Sequence, residues 1–133
     1  MAQITRSVTV KASPETVWAL IGGFQALPDW HPAAEGSAKE MVDGVEHRRL
    51  SLAGGGEILE KALGSDGMSY GYEIVESPLP VNNYRSIISV VGAGGGSVVV
   101  WSSTFDALAD NAAGVVAGIY EAGLGTLTSR FGT

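Results

Sequence analysis

Two periodicities divide this chain. From Ala112 to Phe131 the apolar residues recur with helical spacing. At about 100° per residue, Val116, Tyr120, Leu124, Leu127 and Phe131 share one face, which Val115 and Ile119 widen to about half the circumference. Asp110-Asn111 supplies a helix start, and no strand pattern follows. Upstream, the pattern is mostly that of strands. Ile4, Val8 and Val10 alternate with Thr5, Ser7, Thr9 and Lys11, with Arg6 as the odd member of the apolar file. Further strands are predicted over Glu35–Glu40, Val45–Leu52, Glu57–Leu63, Ser69–Glu76, Tyr84–Val91 and Ser97–Phe105. Turn chemistry separates them: Asp43-Gly44, Gly54-Gly55-Gly56, Ser65-Asp66-Gly67 and the glycines from Gly92 to Gly96. Pro78 and Pro80 keep the link Ser77–Asn83 out of a sheet interior. A twenty-residue helix is about 30 Å long and an eight-residue strand about 26 Å. A curved sheet of about seven strands can therefore grip the last helix along most of its length.

Two short helices are predicted between the first and second strands. Ser13-Pro14-Glu15-Thr16 is a start signal, with Ser at the N-cap, Pro in the first turn and an acid near the positive end. Val17, Trp18, Leu20 and Ile21 give that helix an apolar side, and Gly22-Gly23 ends it. A second helical turn is expected over Phe24–Leu27, before Pro28. The following Asp29-Trp30-His31-Pro32 is too aromatic for a plain surface loop.

Length and composition narrow the class. One α+β domain spanning residues 1–133 is expected, with a single core. Cysteine is absent, which excludes disulfides, thiolate chemistry and Cys-based metal sites. A net charge of −6 with eight Lys plus Arg argues against a nucleic-acid partner. The first residues lack signal-peptide character, and the least polar window, Ala107 to Leu127, is interrupted by Asp110 and Glu121, so a cytoplasmic protein without a membrane span is expected. The two histidines, on different elements, lack metal-site spacing, and neither a metal nor another cofactor is expected. There is no Gly-x-Ser-x-Gly elbow. The run Ala53-Gly54-Gly55-Gly56 lacks the Lys-Ser/Thr of a phosphate loop and reads as a hairpin tip.

Polar residues inside apolar files are the candidate chemistry. Arg48 shares its file with Leu50 and Leu52, and Glu60 with Ile58 and Ala62, whereas His47 falls on the wet side. An odd number of residues at the Gly54–Gly56 tip puts Arg48 and Glu60 on one face; a two-residue loop puts them on opposite faces. Buried together they must pair, either as structure or towards a ligand. Tyr70, Tyr72 and Ile74 form another file, whose hydroxyls suit a ligand oxygen. His31 is the natural general base near neutral pH, although a histidine in such a loop is more often a hydrogen-bonded structural residue.

The order and spacing of several motifs resemble the START-like helix-grip superfamily, which includes the major birch-pollen allergen, and in particular its polyketide cyclase/dehydrase-type branch. The likeness covers almost the whole chain. It is carried by Ser13-Pro14-Glu15-Thr16-Val17-Trp18, Pro28-Asp29-Trp30-His31-Pro32, Gly44 with Arg48, the Gly-Gly-Glu run leading to Glu60, and Tyr72-Glu73-Ile74. Pro78-Leu79-Pro80, Trp101 with Phe105, and Gly123-Leu124 with Leu127 complete it. The resemblance implies a helix-grip fold with a cavity between sheet and terminal helix.

Gly123 lies within the helix's apolar arc, beside Tyr120, Leu124 and Leu127. Its missing side chain either leaves room for a ligand or lets a bulky residue such as Trp101 approach. Trp30 is expected at the cavity mouth. Trp30, Tyr70, Trp101, Tyr120, Gly123, Leu124 and Leu127 are thus the ligand-binding candidates.

The superfamily hosts many functions on one scaffold. Three readings stand: a carrier of a small hydrophobic, aromatic or polyketide-like molecule; a cofactor-free cyclase, dehydratase or lyase-like enzyme; and a protein-interaction module. In the enzyme reading Arg48 stabilises developing negative charge while Glu60, His31 or Tyr72 moves protons. A monomer, or at most a weak homodimer, is expected.

Overall fold

In the computed structural model, which describes residues 1–133, seven strands form one sheet. They are β1 (Ala2–Val10), β2 (Ala34–Val42), β3 (Val45–Leu52), β4 (Glu57–Ser65), β5 (Ser69–Glu76), β6 (Val81–Ala93) and β7 (Gly96–Ala107). Consecutive hairpins join β2 through β7, and β1 closes on β7, giving the order β1-β7-β6-β5-β4-β3-β2, antiparallel throughout. The sheet wraps α2 (Ala112–Phe131), as the helical and strand periodicities predict.

On the sheet-facing side α2 buries Val116, Tyr120, Leu124 and Leu127. A fully buried aliphatic side chain contributes about 1.5–3 kcal/mol. Three of them outweigh the roughly 2–3 kcal/mol by which Gly114, Gly118 and Gly125 disfavour a helix relative to alanine. Packing therefore holds this helix, and propensity does not. Arg6, the odd residue in the apolar file of β1, sits under α2, and its Nε donates to Glu121 Oε2 at 2.9 Å. The two side chains are 42% and 60% exposed, so the pair fixes orientation more than it stabilises.

Helix α1 (Pro14–Ile21) starts as its sequence dictates, the Ser13 hydroxyl accepting the Thr16 N–H at 3.3 Å. It buries Val17 and Ile21. The second helical turn differs from expectation. It is a 3-10 turn over Leu27–Asp29, with Pro28 inside its first turn. Proline's missing N–H costs nothing there, so Pro28 continues the turn instead of ending it.

Strand β6 also begins earlier than expected. Val81 and Asn82 pair with Ala107 and Asp106, and the register shifts before Arg85. Asn83 absorbs the irregularity at φ 52°, its amide donating to Asp106 Oδ2 at 2.8 Å. His47, expected to be wet, is buried. It lies between Glu40 of β2 and Lys61 of β4 in the register, with Nδ1 on the Val45 carbonyl at 3.0 Å. Long neighbours on both flanks cover the outer face at that point.

Candidate functional site

The β3–β4 hairpin decides which face its polar residues share. Ser51 pairs with Glu57, so the five residues from Leu52 to Gly56 lie between the last partners. All three glycines of the tip hold positive φ, which residues bearing a Cβ adopt only with strain. The odd count places Arg48 directly opposite Glu60 on the inner face.

There the two form an ion pair, Arg48 Nε to Glu60 Oε1 at 2.7 Å, with the Arg48 side chain fully buried. Arg48 Nη1 donates to the Phe24 carbonyl at 2.7 Å and to the Tyr70 hydroxyl at 3.2 Å. The guanidinium carbon also lies 4.3 Å from the Phe24 ring centroid and 4.8 Å from that of Tyr72. Nη2 has no partner within the protein. Burial acts to lower the Arg48 pKa, but Glu60, Tyr70 and Tyr72 more than offset it, so the cation is held more firmly than usual. Burial pushes the Glu60 carboxyl up, against the charge and hydrogen bond of Arg48. We read the contact as an ion pair, since guanidinium keeps its proton in proteins.

Beside this pair runs a line of hydroxyls. Trp101 Nε1 donates to the Tyr72 hydroxyl and to Ser86 Oγ, each at 3.0 Å. Ser86 donates to the Ser102 carbonyl, so its contact with Tyr120 at 3.1 Å uses the Tyr120 proton. Tyr84 then donates to Tyr120. The Tyr72 proton is left to go to Tyr84, at 3.3 Å, or into the cavity. Burial raises the pKa of Tyr72, Tyr84 and Tyr120 alike, so all three are neutral and act as donors.

A cavity of about 260 Å³ lies between this wall and α2. Leu50, Ile58 and Trp101 form part of its buried lining, whereas Leu52 and Leu79 join Val115 and Ile119 of α2 as partly exposed rim residues. Its non-hydrophobic lining residues are Arg48, Glu60 and His31. The four catalytic candidates, Arg48, Glu60, His31 and Tyr72, thus converge on one space together with Trp101. Tyr70, Trp30, Tyr120, Gly123, Leu124 and Leu127 do not border it. Tyr70 and Tyr120 stand behind the wall as hydrogen-bond partners of Arg48 and of Tyr84 with Ser86. Leu124 and Leu127 are core.

Gly123 corrects the expectation that its missing side chain enlarges the cavity. A Cβ there would lie 2.6 Å from His31 Cδ2 and 3.0 Å from Trp30 Cζ3. Its space is therefore filled by the Trp30-His31 loop, not by a ligand. Trp30 is correspondingly not at the mouth. It is buried against α2, its carbonyl accepting from Thr126 Oγ1 at 2.6 Å and its ring 5.6 Å from that of Trp101. His31 is also committed. Its Nδ1 accepts the Ala33 N–H at 3.1 Å, which leaves Nε2 as the protonated nitrogen facing the Ile119 carbonyl at 2.8 Å. Burial lowers its pKa despite that carbonyl, and the Arg48 charge adds to the effect. With both ring nitrogens engaged, His31 braces the helix and has no free lone pair for a substrate proton. Sequence reasoning missed Tyr84 and Ser86. The signal was available, since both belong to the inward file of β6 with Ile88 and Val90.

The family described as polyketide cyclase/dehydrase and lipid transport matches residues 1–132. The chain belongs to it. Among solved structures, XoxI of Bacillus cereus is 38% identical with a TM-score of 0.90, the alignment covering 98% of this chain and 96% of that one. A START superfamily protein of Mycobacterium smegmatis is 16% identical at a TM-score of 0.72, with 96% and 92% covered. The di-domain ARO/CYC StfQ of the steffimycin biosynthetic pathway is 10% identical at 0.74, covering 96% of this chain and 49% of that one. The last two speak for a shared fold alone. No curated protein matches the chain. No helix is long and apolar enough to cross a membrane.

Proposed function

We propose that the protein binds a small hydrophobic molecule between its sheet and α2. The family and fold support a hydrophobic-ligand or cyclase role in general. The observation that carries the reading is a cavity lined by hydrophobic residues, Tyr72 and Tyr84 among them, with Arg48, Glu60 and His31 as the exceptions. Such a space excludes highly hydrated ligands, because their desolvation would go uncompensated. Mass spectrometry of the purified protein under native conditions tests it. A copurifying apolar molecule, displaced by the substitution Ile58→Trp at the cavity wall, is the expected result. Thermal stability that no small apolar compound raises would contradict it, since any ligand of the native state alone must stabilise it.

A second reading, acid–base catalysis without a cofactor, is favoured by Glu60. Its Oε1 holds Arg48, but its Oε2 makes no hydrogen bond within the protein. A carboxylate whose basicity is raised by burial, beside a fixed cation, has the elements of proton abstraction next to a carbonyl. Glu60→Gln should then abolish turnover while leaving ligand affinity within a few-fold. Equal loss of both would return the protein to the carrier reading.

A further inference from the structure

The cavity's polar corner allows the ligand class to be narrowed, on the premise that this cavity is the binding site. Arg48 has two of its nitrogens committed: Nε to Glu60, and Nη1 to Phe24 and Tyr70, neither of which borders the cavity. Nη2 is left without a protein acceptor, on a side chain with no solvent exposure that itself lines the cavity. A buried charged donor without an acceptor is costly, so a ligand that supplies one is favoured over one that does not. Tyr72 lines the same space, and its hydroxyl proton is free to leave Tyr84, at 3.3 Å, for a ligand oxygen.

Charge limits what that acceptor can be. Glu60 already neutralises Arg48 at 2.7 Å. An ionised ligand carboxylate would bring a second buried anion beside Glu60, with one cation between them. A carbonyl or hydroxyl oxygen takes the hydrogen bond without that repulsion. Volume limits the rest. A cavity of ~150 Å³ accepts benzene, and drug-sized ligands occupy ~300–1,000 Å³. At about 260 Å³ this one lies between the two.

We infer that the ligand is a neutral molecule of one or two rings whose buried end carries a carbonyl or hydroxyl oxygen, received by Arg48 Nη2. Long acyl chains and four-ring skeletons exceed the space. The apolar rim of Leu52, Leu79, Val115 and Ile119 then meets the ring edge that points outward.

Matched probes test this directly: 1-tetralone, its hydrocarbon counterpart tetralin, and the anion 1-naphthoate, titrated by calorimetry into the full chain. The ketone should bind at least about tenfold more tightly than either, the difference expected of one charge-assisted hydrogen bond. Arg48→Lys keeps a cation beside Glu60 but loses the fork. Arg48→Met with Glu60→Leu removes both charges and protects folding if the lysine variant is unstable. In both, tetralone and tetralin should bind alike. Equal affinity in the wild type, a preference that persists in both variants, or tighter binding of naphthoate overturns the inference while leaving the cavity as a binding site. Binding of none of the three overturns both.

Discussion

A Cβ on Gly123 would stand 2.6 Å from Cδ2 of His31, so the middle of α2 and the loop after the 3-10 turn are fitted to one another at a single missing methyl group. The contact is locked from both sides, by His31 Nε2 on the Ile119 carbonyl and by Thr126 on the Trp30 carbonyl. Alanine at position 123 sets two effects in opposition. It gains about 0.8–1.0 kcal/mol of helix propensity, and it overpacks a rigid ring at a cost of about 1–3 kcal/mol. The clash should win, giving a net loss in urea unfolding. Paired with His31→Ala, the same Gly123→Ala change should cost less, with only Trp30 Cζ3 at 3.0 Å left to give way. If it stabilises the wild type, the fit is looser than the distances say.

His31 also makes stability depend on pH. Its folded pKa lies below the ordinary imidazole value of 6.5, so the unfolded chain takes the proton first. Its contribution is therefore full above pH 6.5 and is lost as pH falls through the lowered folded value. Glu60 acts oppositely: with a folded value above 4.5, its contribution is present in acid and lost as pH rises through that value. Thermal melts of wild type and His31→Gln across pH 4–8 separate them. The difference between the two proteins should shrink below pH 6.5, whereas a constant difference would mean that the imidazole does not titrate with unfolding.

For Arg48 and Glu60, asymmetry is the expected signature. Removing either alone leaves the other charge buried and should cost about 3–5 kcal/mol, while Arg48→Met with Glu60→Leu should come close to wild-type stability. Chemical denaturation of the full double-mutant cycle measures this. Additive costs would mean that the two charges do not depend on each other.

The exposed side of α2 offers a stabilising change. A Cβ at Gly114, Gly118 or Gly125 meets nothing within 4 Å, so no packed neighbour explains these glycines. Converting all three to alanine should add about 2–3 kcal/mol. Because Val115 and Ile119 on this half of the helix form part of the cavity rim, the variant should also exchange ligand more slowly. Unchanged exchange in stopped-flow measurements would show that the entrance opens without the helix.

Much of this fold was legible because the two periodicities are undisturbed. Ser13-Pro14-Glu15 and the glycine tips mark their boundaries by local chemistry that tertiary contacts do not override. The Arg48–Glu60 pairing was legible only as a parity argument, since one residue more or less at Gly54–Gly56 reverses it. Gly123 and Trp30 were misplaced for a common reason: a gap in a helix face does not reveal what fills it, and the filler lies about ninety residues away in sequence. His47 was misread because the cover over the outer face comes from the neighbouring strands of its register, Glu40 and Lys61. Nη2 of Arg48 is invisible in sequence, because an unpaired nitrogen is defined only once every other partner is placed.

The central claim is that the space between sheet and α2 is where a small apolar molecule binds. Intermolecular NOEs between saturating 1-tetralone and the methyl-labelled protein test it most directly. The account predicts NOEs to Leu50, Ile58, Leu79 and Ile119, which line the cavity from β3, β4, the β5–β6 link and α2. NOEs confined to Ile87 and Val91, exposed on β6, or no NOEs at any accessible concentration, would contradict it.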